Sequence, residues 1–410
     1  MRIIHTSDWH LGQYFFTKTR APEHQYFLHW LIEQVKHYQV DAVIVAGDIF
    51  DTGSPPSYAR EIYNRFIVEL HKTGCQLVIL GGNHDSVAML NESKQLLSYL
   101  NIHVIANANN QSIEQSVIVL NDSQGKPGAL LCAIPFLRPR DMIKSLAGQS
   151  SSEKQQSLLE AITEYYHQSY QYAKQLRHQL GKALPIIATG HLTAVGASTS
   201  DSVRDIYIGS LEAFPADAFP PADYIALGHI HRPQVIGGQA HIRYSGSPIP
   251  LSFDENGQDK TLCLIEFTQD KLTAIECLSI PQFQPMATLK GILNDIQQQL
   301  SPYQNYHAER PVWLDIEVAS QDYLADIQQR VEQMTAGLPV EVILLRRARR
   351  QNQTLSATAN NETLNELTVE EVFLRRLADA ELEDPQYQQR LTLLFRQSYE
   401  AFQSTGEDQA

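Results

Sequence analysis

Long hydrophobic runs are absent from this 410-residue chain, although 43% of its residues are hydrophobic. A helix that crosses a bilayer needs about 20 consecutive apolar residues, and no stretch of the sequence approaches that length. The N-terminus begins with strand-like residues and lacks the basic and then apolar segments of a secretion signal. We therefore expect a cytoplasmic, globular protein with a sizeable core.

Cysteine is scarce as well. The four cysteines are Cys75, Cys132, Cys263 and Cys277. They are widely separated, and three of them lie in apolar runs, so their spacing fits neither a zinc cluster nor a disulfide framework. We predict reduced cysteines in the core.

Positive charge is in deficit, because 46 acidic residues face 32 basic ones and the formal net charge is -14. Proteins that hold nucleic acid mainly by bulk charge neutralise its phosphates with Lys and Arg. The balance argues against that class. It does not exclude a nuclease, because metal ions can supply positive charge at a site and a partner subunit can supply the rest of the grip.

Short apolar runs alternate with helical patterns along most of the chain. Apolar residues recur every three or four positions over 22–38, 57–72 and 153–180, which predicts three helices. The predicted strands are 2–6, 41–47, 76–80, 116–120, 129–134, 186–189, 224–227, 241–244 and 262–267. Strands that alternate with helices in this way indicate a largely parallel sheet.

The character of the sequence changes after about residue 281. A strand, helix, strand, helix, strand pattern over 286–345 predicts a small separate α+β unit. The polar stretch 349–363 is typical of a linker, and two short amphipathic helices are predicted within 364–404. These helices could fold back on the large first domain or dock on an apolar surface of another protein. The expected domains are therefore 1–281, 282–348 and a C-terminal helical pair.

Five segments place ligand-type side chains just after predicted strands. They are Asp8-Trp9-His10, Gly47-Asp48, Gly82-Asn83-His84-Asp85, Gly190-His191 and Gly228-His229-Ile230-His231. In open α/β sheets the loops beyond the carboxyl ends of the strands converge on one crevice. One such segment alone is common at a strand end without any metal, but all five in order indicate a metal site.

Carboxylate, amide and imidazole ligands suit divalent Mn, Fe, Zn or Mg, and no cysteine lies near the five segments. Two ions about 3.5 to 4 Å apart can activate a water and stabilise the attacking and leaving oxygens of a displacement at phosphorus. A carboxylate such as Asp48 could bridge them. The histidines outside the pattern are interpreted as structural or surface residues: His5, His24, His29, His37, His71 and His103.

At these motifs the chain resembles the calcineurin-like metallophosphoesterases. The extended forms 5–12, 46–51 and 82–86 are similar to the DNA double-strand-break nuclease branch of that superfamily, and more closely to the SbcD family of bacterial nuclease subunits. Segments 135–140 and 246–253 resemble the same family. The resemblance runs from Met1 through the final helices.

The resemblance implies an α/β fold, a sandwich of mixed sheets flanked by helices, in a nuclease domain over 1–281. A capping domain over 282–348 and the C-terminal helical pair would follow. It also implies a Mn-dependent DNA nuclease of repair, replication and recombination, with exonuclease activity on double-stranded ends and endonuclease activity on single strands or hairpins. The implied partner is the ATPase SbcC, to whose coiled-coil base the helices would attach, with a homodimer of this chain inside a heterotetramer.

Two ligand sets follow from the resemblance. One metal would be bound by Asp8, His10, Asp48 and His231, and the other by Asp48, Asn83, His191 and His229.

The resemblance places His84 beside the scissile phosphate, as the catalytic residue. An imidazole near its neutral-pH pKa can serve as a general acid, and a neighbouring carboxylate, Asp85 or Asp51, could orient it. Archaeal relatives carry a second active-site histidine where this chain has Asp51, so the role of that histidine is not carried over.

Basic residues give weaker signals. Arg138, Arg140, Lys144 and Arg204 fall in loops, where they could bind phosphates or simply face solvent. The densest basic run is Arg346, Arg347, Arg349 and Arg350. We interpret it as a solvated strand end, with DNA contact as the alternative.

Two other functions stay open. A phosphatase or cyclic-nucleotide phosphodiesterase would share the fold, but a small substrate does not require an extra domain and terminal helices. A non-catalytic scaffold, such as the metallophosphoesterase-like subunit of retromer, would keep the fold without metals. A complete ligand set together with His84 weighs against a scaffold.

Overall fold

The computed structural model describes residues 1–108, 112–143, 150–200, 202–203, 213–306, 309–319, 326–348, 390–392 and 394–395. The chain divides into two compact units, Met1–Ala348 and Arg349–Ala410. The residues described in the second unit are helical. The predicted linker and most of the predicted terminal helices lie outside the described residues.

Strands and helices alternate along the first unit, as the apolar periodicity predicts. Its described strands are β1 (Arg2–Thr6), β2 (Tyr14–Phe15), β3 (Lys18–Thr19), β4 (Ala42–Val45), β5 (Gln76–Leu80), β6 (Ile102–Ile105), β7 (Val117–Asn121), β8 (Pro127–Cys132), β9 (Ile186–His191), β10 (Tyr224–Gly228), β11 (Gln234–Ile236), β12 (Gln239–Tyr244), β13 (Thr261–Thr268), β14 (Lys271–Ser279), β15 (Met286–Gly291), β16 (Val312–Val318) and β17 (Val340–Arg347).

The helices of this part cover the faces of the sheets. They are α1 (Ala21–Tyr38), α2 (Ser57–His71), α3 (Val87–Glu92), α4 (Lys94–Ser98), α5 (Ile113–Ser116), α6 (Pro139–Met142), α7 (Ser151–Leu180), α8 (Leu293–Leu300) and α9 (Ile327–Thr335), with short 3₁₀ turns at Ala216–Ala218, Phe253–Glu255 and Ser301–Asn305. None of these described helices is long and apolar enough to cross a membrane.

Two six-stranded mixed sheets form the body of the first unit. The first has the order β14-β13-β1-β4-β5-β6, in which β1, β4, β5 and β6 are parallel and β13 and β14 run antiparallel to their neighbours. The second has the order β11-β12-β10-β9-β8-β7, with β12, β10, β9 and β8 parallel and antiparallel strands at both edges. The predicted α/β sandwich of mixed sheets is confirmed.

Three apolar clusters hold the sandwich together. The inner faces of the two sheets pack on each other, with Ile44 from the first and Ile187 from the second in one cluster. The outer face of the first sheet buries the apolar stripes of α1 and α2, and the outer face of the second buries the stripe of α7. Burial of these stripes is the main favourable term, at about 25 cal/mol per Å² of apolar surface.

A third sheet, of parallel strands in the order β15-β16-β17, follows with α8 and α9 and has its own apolar cluster. Its strand, helix, strand, helix, strand order agrees with the sequence pattern. Trp313 of β16 stacks on Phe15 of the small β2-β3 hairpin, with ring centroids 5.7 Å apart. This contact joins the third sheet to the hairpin that follows Asp8-Trp9-His10, the first of the five ligand-bearing segments.

The prediction of four core cysteines is wrong for one of them. Cys75, Cys132 and Cys263 are buried, but Cys277 is exposed. It lies on β14, which is the edge strand of the first sheet, so one side of its strand has no neighbour in that sheet.

Candidate metal centre

All five ligand-bearing segments meet at the carboxyl ends of parallel strands. Three of the segments follow β1, β4 and β5 in the first sheet, and two come with β9 and β10 in the second. The loops after β1 and β4 stay paired beyond the strands, since the Asp8 amide donates to the Gly47 carbonyl and the His10 amide to the Asp48 carbonyl, each at 3.0 Å. The site therefore sits in the opening between the two sheets.

A first group of ligand-type atoms comes from Asp8, His10 and His231, which are all buried and lie within 4.8 Å of one another. Asp8 Oδ2 accepts a hydrogen bond from Ser7 Oγ at 2.6 Å, and Asp8 Oδ1 accepts one from the His229 amide at 2.9 Å. His10 Nδ1 lies 3.1 Å from Asp51 Oδ1. These contacts fix the orientation of the carboxylate and of the His10 ring.

A second group comes from Asp48, His191 and His229, also buried and within 4.8 Å of one another. His191 Nδ1 donates to the Ala46 carbonyl at 2.9 Å, which turns His191 Nε2 toward the site. Asn83 Oδ1 completes this side, at 2.8 Å from His191 Nε2 and 3.2 Å from His229 Nδ1.

Asp48 lies between the two groups. Its Oδ2 is 3.2 Å from His191 Nε2 and 3.6 Å from His10 Nε2. Its Oδ1 accepts a hydrogen bond from the His84 amide at 2.9 Å. One carboxylate thus faces both sets of histidines.

His84 lies at the open side of the site and is half-buried. Its Nδ1 is 2.7 Å from the backbone carbonyl of Asp51, and its ring centroid is 4.7 Å from that of His10. The two carboxylates suggested as its orienters also contact other groups of the site. The Asp51 carboxylate contacts His10, and the Asp85 carboxylate accepts backbone amides of Ile49, Phe50 and Gly82 at 3.1, 3.0 and 2.9 Å.

Close backbone approach explains two of the glycines. A Cβ at Gly82 would lie 2.1 Å from Asp48 Oδ1, and one at Gly228 would lie 1.9 Å from the Ala46 carbonyl oxygen. No side chain fits at such distances without displacing the backbone or the carboxylate. Gly82 and Gly228 are therefore required by the lack of space for a Cβ atom at the site.

Charge is concentrated in this buried pocket. Burial opposes the ionised form of Asp48, but His191 and His10 outweigh it and hold the pKa of Asp48 well below its usual range. Burial likewise opposes protonation of His191, yet the facing Asp48 raises the pKa of His191 to about 9. For His229, burial and the neighbouring His191 both lower the pKa.

The surroundings of two histidine ring nitrogens show whether these residues are suited to bind metal ions. His10 Nε2 and His229 Nε2 are buried and have no hydrogen-bond partner among the described residues. A buried imidazole nitrogen without a partner costs free energy, whereas a neutral imidazole nitrogen is a common metal ligand. One such atom lies in each group, beside buried carboxylates, so the donor set fits two divalent cations.

Behind His231 lies a layer of supporting residues that sequence reasoning missed. The fully buried Glu255 lies 3.4 Å from His231 Nδ1, and Ser202 Oγ lies 2.6 Å from the same nitrogen and donates to Glu255. Lys260 Nζ donates to Glu255 Oε2 at 2.6 Å and to the His231 carbonyl at 3.0 Å. These residues set the tautomer and direction of the His231 ring, as supporting groups do in metal sites.

The weaker basic candidates separate into different environments. Arg138 is half-buried near the site, where it donates to the Asp85 carbonyl at 3.1 Å, while the side chain of Arg140 is 80% exposed. Arg346, at the end of β17, is half-exposed and pairs with the buried Asp315 at 2.7 Å. Four further basic candidates lie outside the described residues: Lys144, Arg204, Arg349 and Arg350.

Comparison with known proteins gives two family matches and several relatives. Residues 1–233 match the calcineurin-like phosphoesterase family, and residues 282–401 match the family described as type 5 capsule protein repressor C-terminal domain. The chain is 59% identical over 395 residues to the SbcD subunit of the nuclease SbcCD from Escherichia coli (strain K12), which covers 96% of this chain and 97% of that protein. It is 33% identical over 297 residues to the corresponding SbcCD nuclease subunit from Rhodobacter capsulatus, covering 70% and 71% of the two chains. The Bacillus subtilis protein of the same name is 28% identical over 332 residues, covering 79% and 81%.

Proposed function

Because the chain belongs to the calcineurin-like phosphoesterases and, within them, to the SbcD family of SbcCD nuclease subunits, we propose that it is a nuclease subunit that hydrolyses DNA phosphodiester bonds with two divalent metal ions. The observation that supports this most is Asp48, a buried carboxylate placed between two groups of histidines. A shared carboxylate can hold two cations at the short separation, about 3.5 to 4 Å, that two-metal hydrolysis at phosphorus uses.

Each proposed ligand set follows the geometry of one group. The first metal would be held by Asp8, His10, Asp48 and His231, and the second by Asp48, Asn83, His191 and His229. When bound, the ions would supply positive charge at the phosphate and at the attacking water. We propose manganese as the ion because the resemblance to the SbcD family implies it. The oxygen and imidazole donors are compatible with manganese, as they are with other divalent ions.

His84 is the proposed catalytic residue. A carbonyl oxygen only accepts hydrogen bonds, so the contact with the Asp51 carbonyl assigns a proton to His84 Nδ1. Nε2 is then the ring atom that changes protonation, and it can pass a proton to the leaving oxygen or donate a hydrogen bond to the developing charge. Half-burial beside the site keeps the ring within reach of a bound phosphodiester.

The substrate and partner are proposed from the relatives. The named relatives are nuclease subunits of a complex called SbcCD, so the proposed partner is the SbcC ATPase, with a homodimer of this chain in the assembly. The proposed activities are exonuclease action on double-stranded ends and endonuclease action on single strands or hairpins, in DNA repair, replication and recombination. A net charge of -14 leaves part of the DNA grip to the metals and the partner.

The function is tested with three substrates: linear double-stranded DNA, hairpin DNA and a chromogenic phosphodiester. Each is incubated with Mn or Mg, with and without the ATPase partner. We expect Mn-dependent cleavage of hairpin DNA by the chain alone and of duplex ends when SbcC and ATP are present. Turnover of the chromogenic substrate without cleavage of either DNA would instead favour a phosphatase or a small-substrate phosphodiesterase.

The shared ligand is tested by substitution. Removal of the bridge leaves two neighbouring cations without the anion that screens them, so Asp48→Ala should weaken both sites together. Metal content after equilibrium dialysis against Mn measures the affinity of both sites. Asp41→Ala is the control, because the Asp41 carboxylate accepts hydrogen bonds from backbone amides away from the five segments. One ion retained at wild-type affinity would show that Asp48 is not the bridge, and no bound metal in the wild type would favour a scaffold.

A further inference from the structure

Two of the cysteines face each other across neighbouring strands. Cys263 of β13 and Cys277 of β14 are direct partners in the antiparallel register. Directly opposed residues in such a pair have Cα atoms about 4.5 to 5.5 Å apart and side chains on the same face. That separation lies within the range of roughly 4.4 to 6.8 Å that a disulfide spans, so the register of the two strands is compatible with a disulfide between these residues.

The two thiols differ in access. Cys277 is exposed at the edge of the first sheet, whereas Cys263 is 1% exposed and points into the space between the sheets. The remaining cysteines, Cys75 and Cys132, are buried on other parts of the chain. The register partners of Cys132 are Val117 and Ala188.

One arginine and one thiol contact the exposed sulfur of Cys277. Arg243 Nη1 donates to Cys277 Sγ at 3.4 Å, from β12 of the second sheet. The hydrogen bond from Cys263 and the charge of Arg243 lower the pKa of Cys277 to about 6, against the opposing effect of partial burial. The same hydrogen bond and burial raise the pKa of Cys263, so the proton of the pair stays on the inner sulfur. A thiolate next to an arginine is the reactive form of cysteine.

We propose that Cys277 and Cys263 are a redox-active pair, in which a peroxide oxidises Cys277 and Cys263 then closes a disulfide between β14 and β13. The Cys277 sulfur attacks one peroxide oxygen, the O–O bond breaks, and the other oxygen leaves as water after it takes a proton. The Cys263 sulfur then attacks the Cys277 sulfur, the S–O bond breaks, and water leaves with the Cys263 proton. Two thiols lose two electrons and two protons, and one peroxide becomes two waters.

The disulfide would tie an edge strand to the strand that borders the metal-bearing part of the sheet. Cys263 is also the register partner of His5 on β1, and β1 ends two residues before Asp8. The pair is separate from the proposed ligands and does not depend on the proposed nuclease function. Its test therefore gives an answer whether or not DNA is cleaved.

The experiment exposes the full-length, Mn-loaded chain to hydrogen peroxide and maps its peptides without reduction. We expect one linked peptide pair that contains Cys263 and Cys277 in monomeric protein, with the loss of two hydrogen atoms, reversed by dithiothreitol. Cys263→Ser should give no linked peptide and should accumulate a sulfenic acid at Cys277 that dimedone traps. Cys277→Ser should leave Cys263 as a thiol, and Arg243→Gln should slow alkylation of Cys277 by iodoacetamide several-fold.

Matched controls come from the other two cysteines. Cys75→Ser and Cys132→Ser should keep the linked peptide at the wild-type rate. If Cys263→Ser does not fold, the order of alkylation in the native wild type still tests the assignment, because Cys277 should react well before Cys263. Oxidation that falls equally on Cys75 or Cys132, a disulfide between two chains, or oxidation of Cys277 to sulfinic acid without any linkage to Cys263 would overturn the proposal.

Discussion

Four of the proposed ligands have backbone conformations that side chains rarely adopt: φ is 54° at Asp8, 47° at His10, 51° at Asp48 and 96° at His229. Each such residue costs on the order of 1 to 3 kcal/mol and persists only when the surroundings over-determine it. Here the strained residues are hydrogen-bonded to one another, which stabilises their unusual backbone conformations. The His10 amide donates to the Asp48 carbonyl, and the His229 amide donates to Asp8 Oδ1. Free energy is thus stored at the site to direct the carboxylates and rings inward.

His84 is the residue whose role separates metal binding from catalysis. We predict that His84→Gln leaves both metals bound and lowers the cleavage rate by about 100-fold or more, the scale of a positioned acid-base group. Metal content and cleavage are measured on the same preparation. His37→Gln, on the exposed face of α1, is the control and should change neither.

The competing role for His84 has a geometric basis. His84 also lies within 4.8 Å of ligand atoms of His10 and Asp48. Loss of a metal together with activity in His84→Gln would therefore assign His84 as a ligand instead.

Substitution of Glu255 tests whether the residues that contact His231 contribute to metal binding by the first group. Its buried carboxylate contacts His231 through Oε1 and Lys260 through Oε2. We predict that Glu255→Gln, which keeps the shape and removes the charge, lowers affinity for one metal by about 10- to 100-fold, the usual effect of losing such a group. Competitive Mn titration measures both affinities.

The control for Glu255 is the adjacent residue. Asp254→Asn removes a carboxylate that pairs with Arg232 at 3.2 Å and should leave both affinities unchanged. Equal weakening of both metals in Glu255→Gln would mean that the variant has disturbed the whole site and that Glu255 does not act through His231.

At the scale of elements, the site depends on the ends of strands from the two sheets, whose backbones are in contact with each other. Gly228 closes β10 against the Ala46 carbonyl, which also accepts the His191 Nδ1 hydrogen bond. We predict that Gly228→Ala pushes these strand ends apart, lowers the free energy of unfolding by about 1 to 3 kcal/mol, and weakens the second metal. Chemical denaturation and Mn titration measure the two effects.

Gly53→Ala is the matched control for that substitution, because its new Cβ would meet only Ser86 Cβ at 3.6 Å. It should leave stability nearly unchanged. A Gly228→Ala protein with wild-type stability and wild-type Mn affinity would show that the two sheets can separate at this point without loss.

The strands that carry candidate ligands could be predicted because each is a short apolar run followed closely by a glycine or a ligand. Other elements have weaker signals. β6 has only four residues with His103 among them, and β14 mixes polar and apolar residues because most of its length is exposed. Neither strand was predicted, although both belong to the first sheet.

The features that could not be predicted from the sequence depend on contacts between residues far apart in the chain. Glu255 lies in a polar stretch typical of a surface loop, yet Lys260 and Ser202 converge on it and bury it fully. The proximity of Cys263 and Cys277 depends on the register of a hairpin, which the spacing of cysteines alone does not give. His84 Nδ1 contacts the backbone carbonyl of Asp51, and the residue types in the sequence cannot predict a contact to a backbone group.

At the scale of the whole molecule, the formal net charge is -14, so under the proposed function part of the binding energy for DNA has to come from the metals and the partner. We propose the second unit, Arg349–Ala410, as the part of the chain that binds the partner. Its sequence marks two helix starts, a capping box at 368–371 and Asp384-Pro385, each followed by apolar residues at helical spacing. The two helices that these signals predict are short, and as a pair they would have little core of their own in which to bury those residues.

Amphipathic helices of this kind dock on an apolar surface of another protein, and the proposed partner is the coiled-coil base of SbcC. We predict that truncation after Thr363 leaves Mn-dependent cleavage of single strands nearly intact, because Met1–Ala348 forms a compact unit with its own cores. The same truncation should abolish co-purification with SbcC and ATP-dependent cleavage of duplex ends.

A full-length Leu391→Asp, Leu394→Asp variant should reproduce both losses if the apolar face of the second helix makes the contact. A truncated chain that still co-purifies with SbcC at wild-type yield would place the interface on the first unit instead.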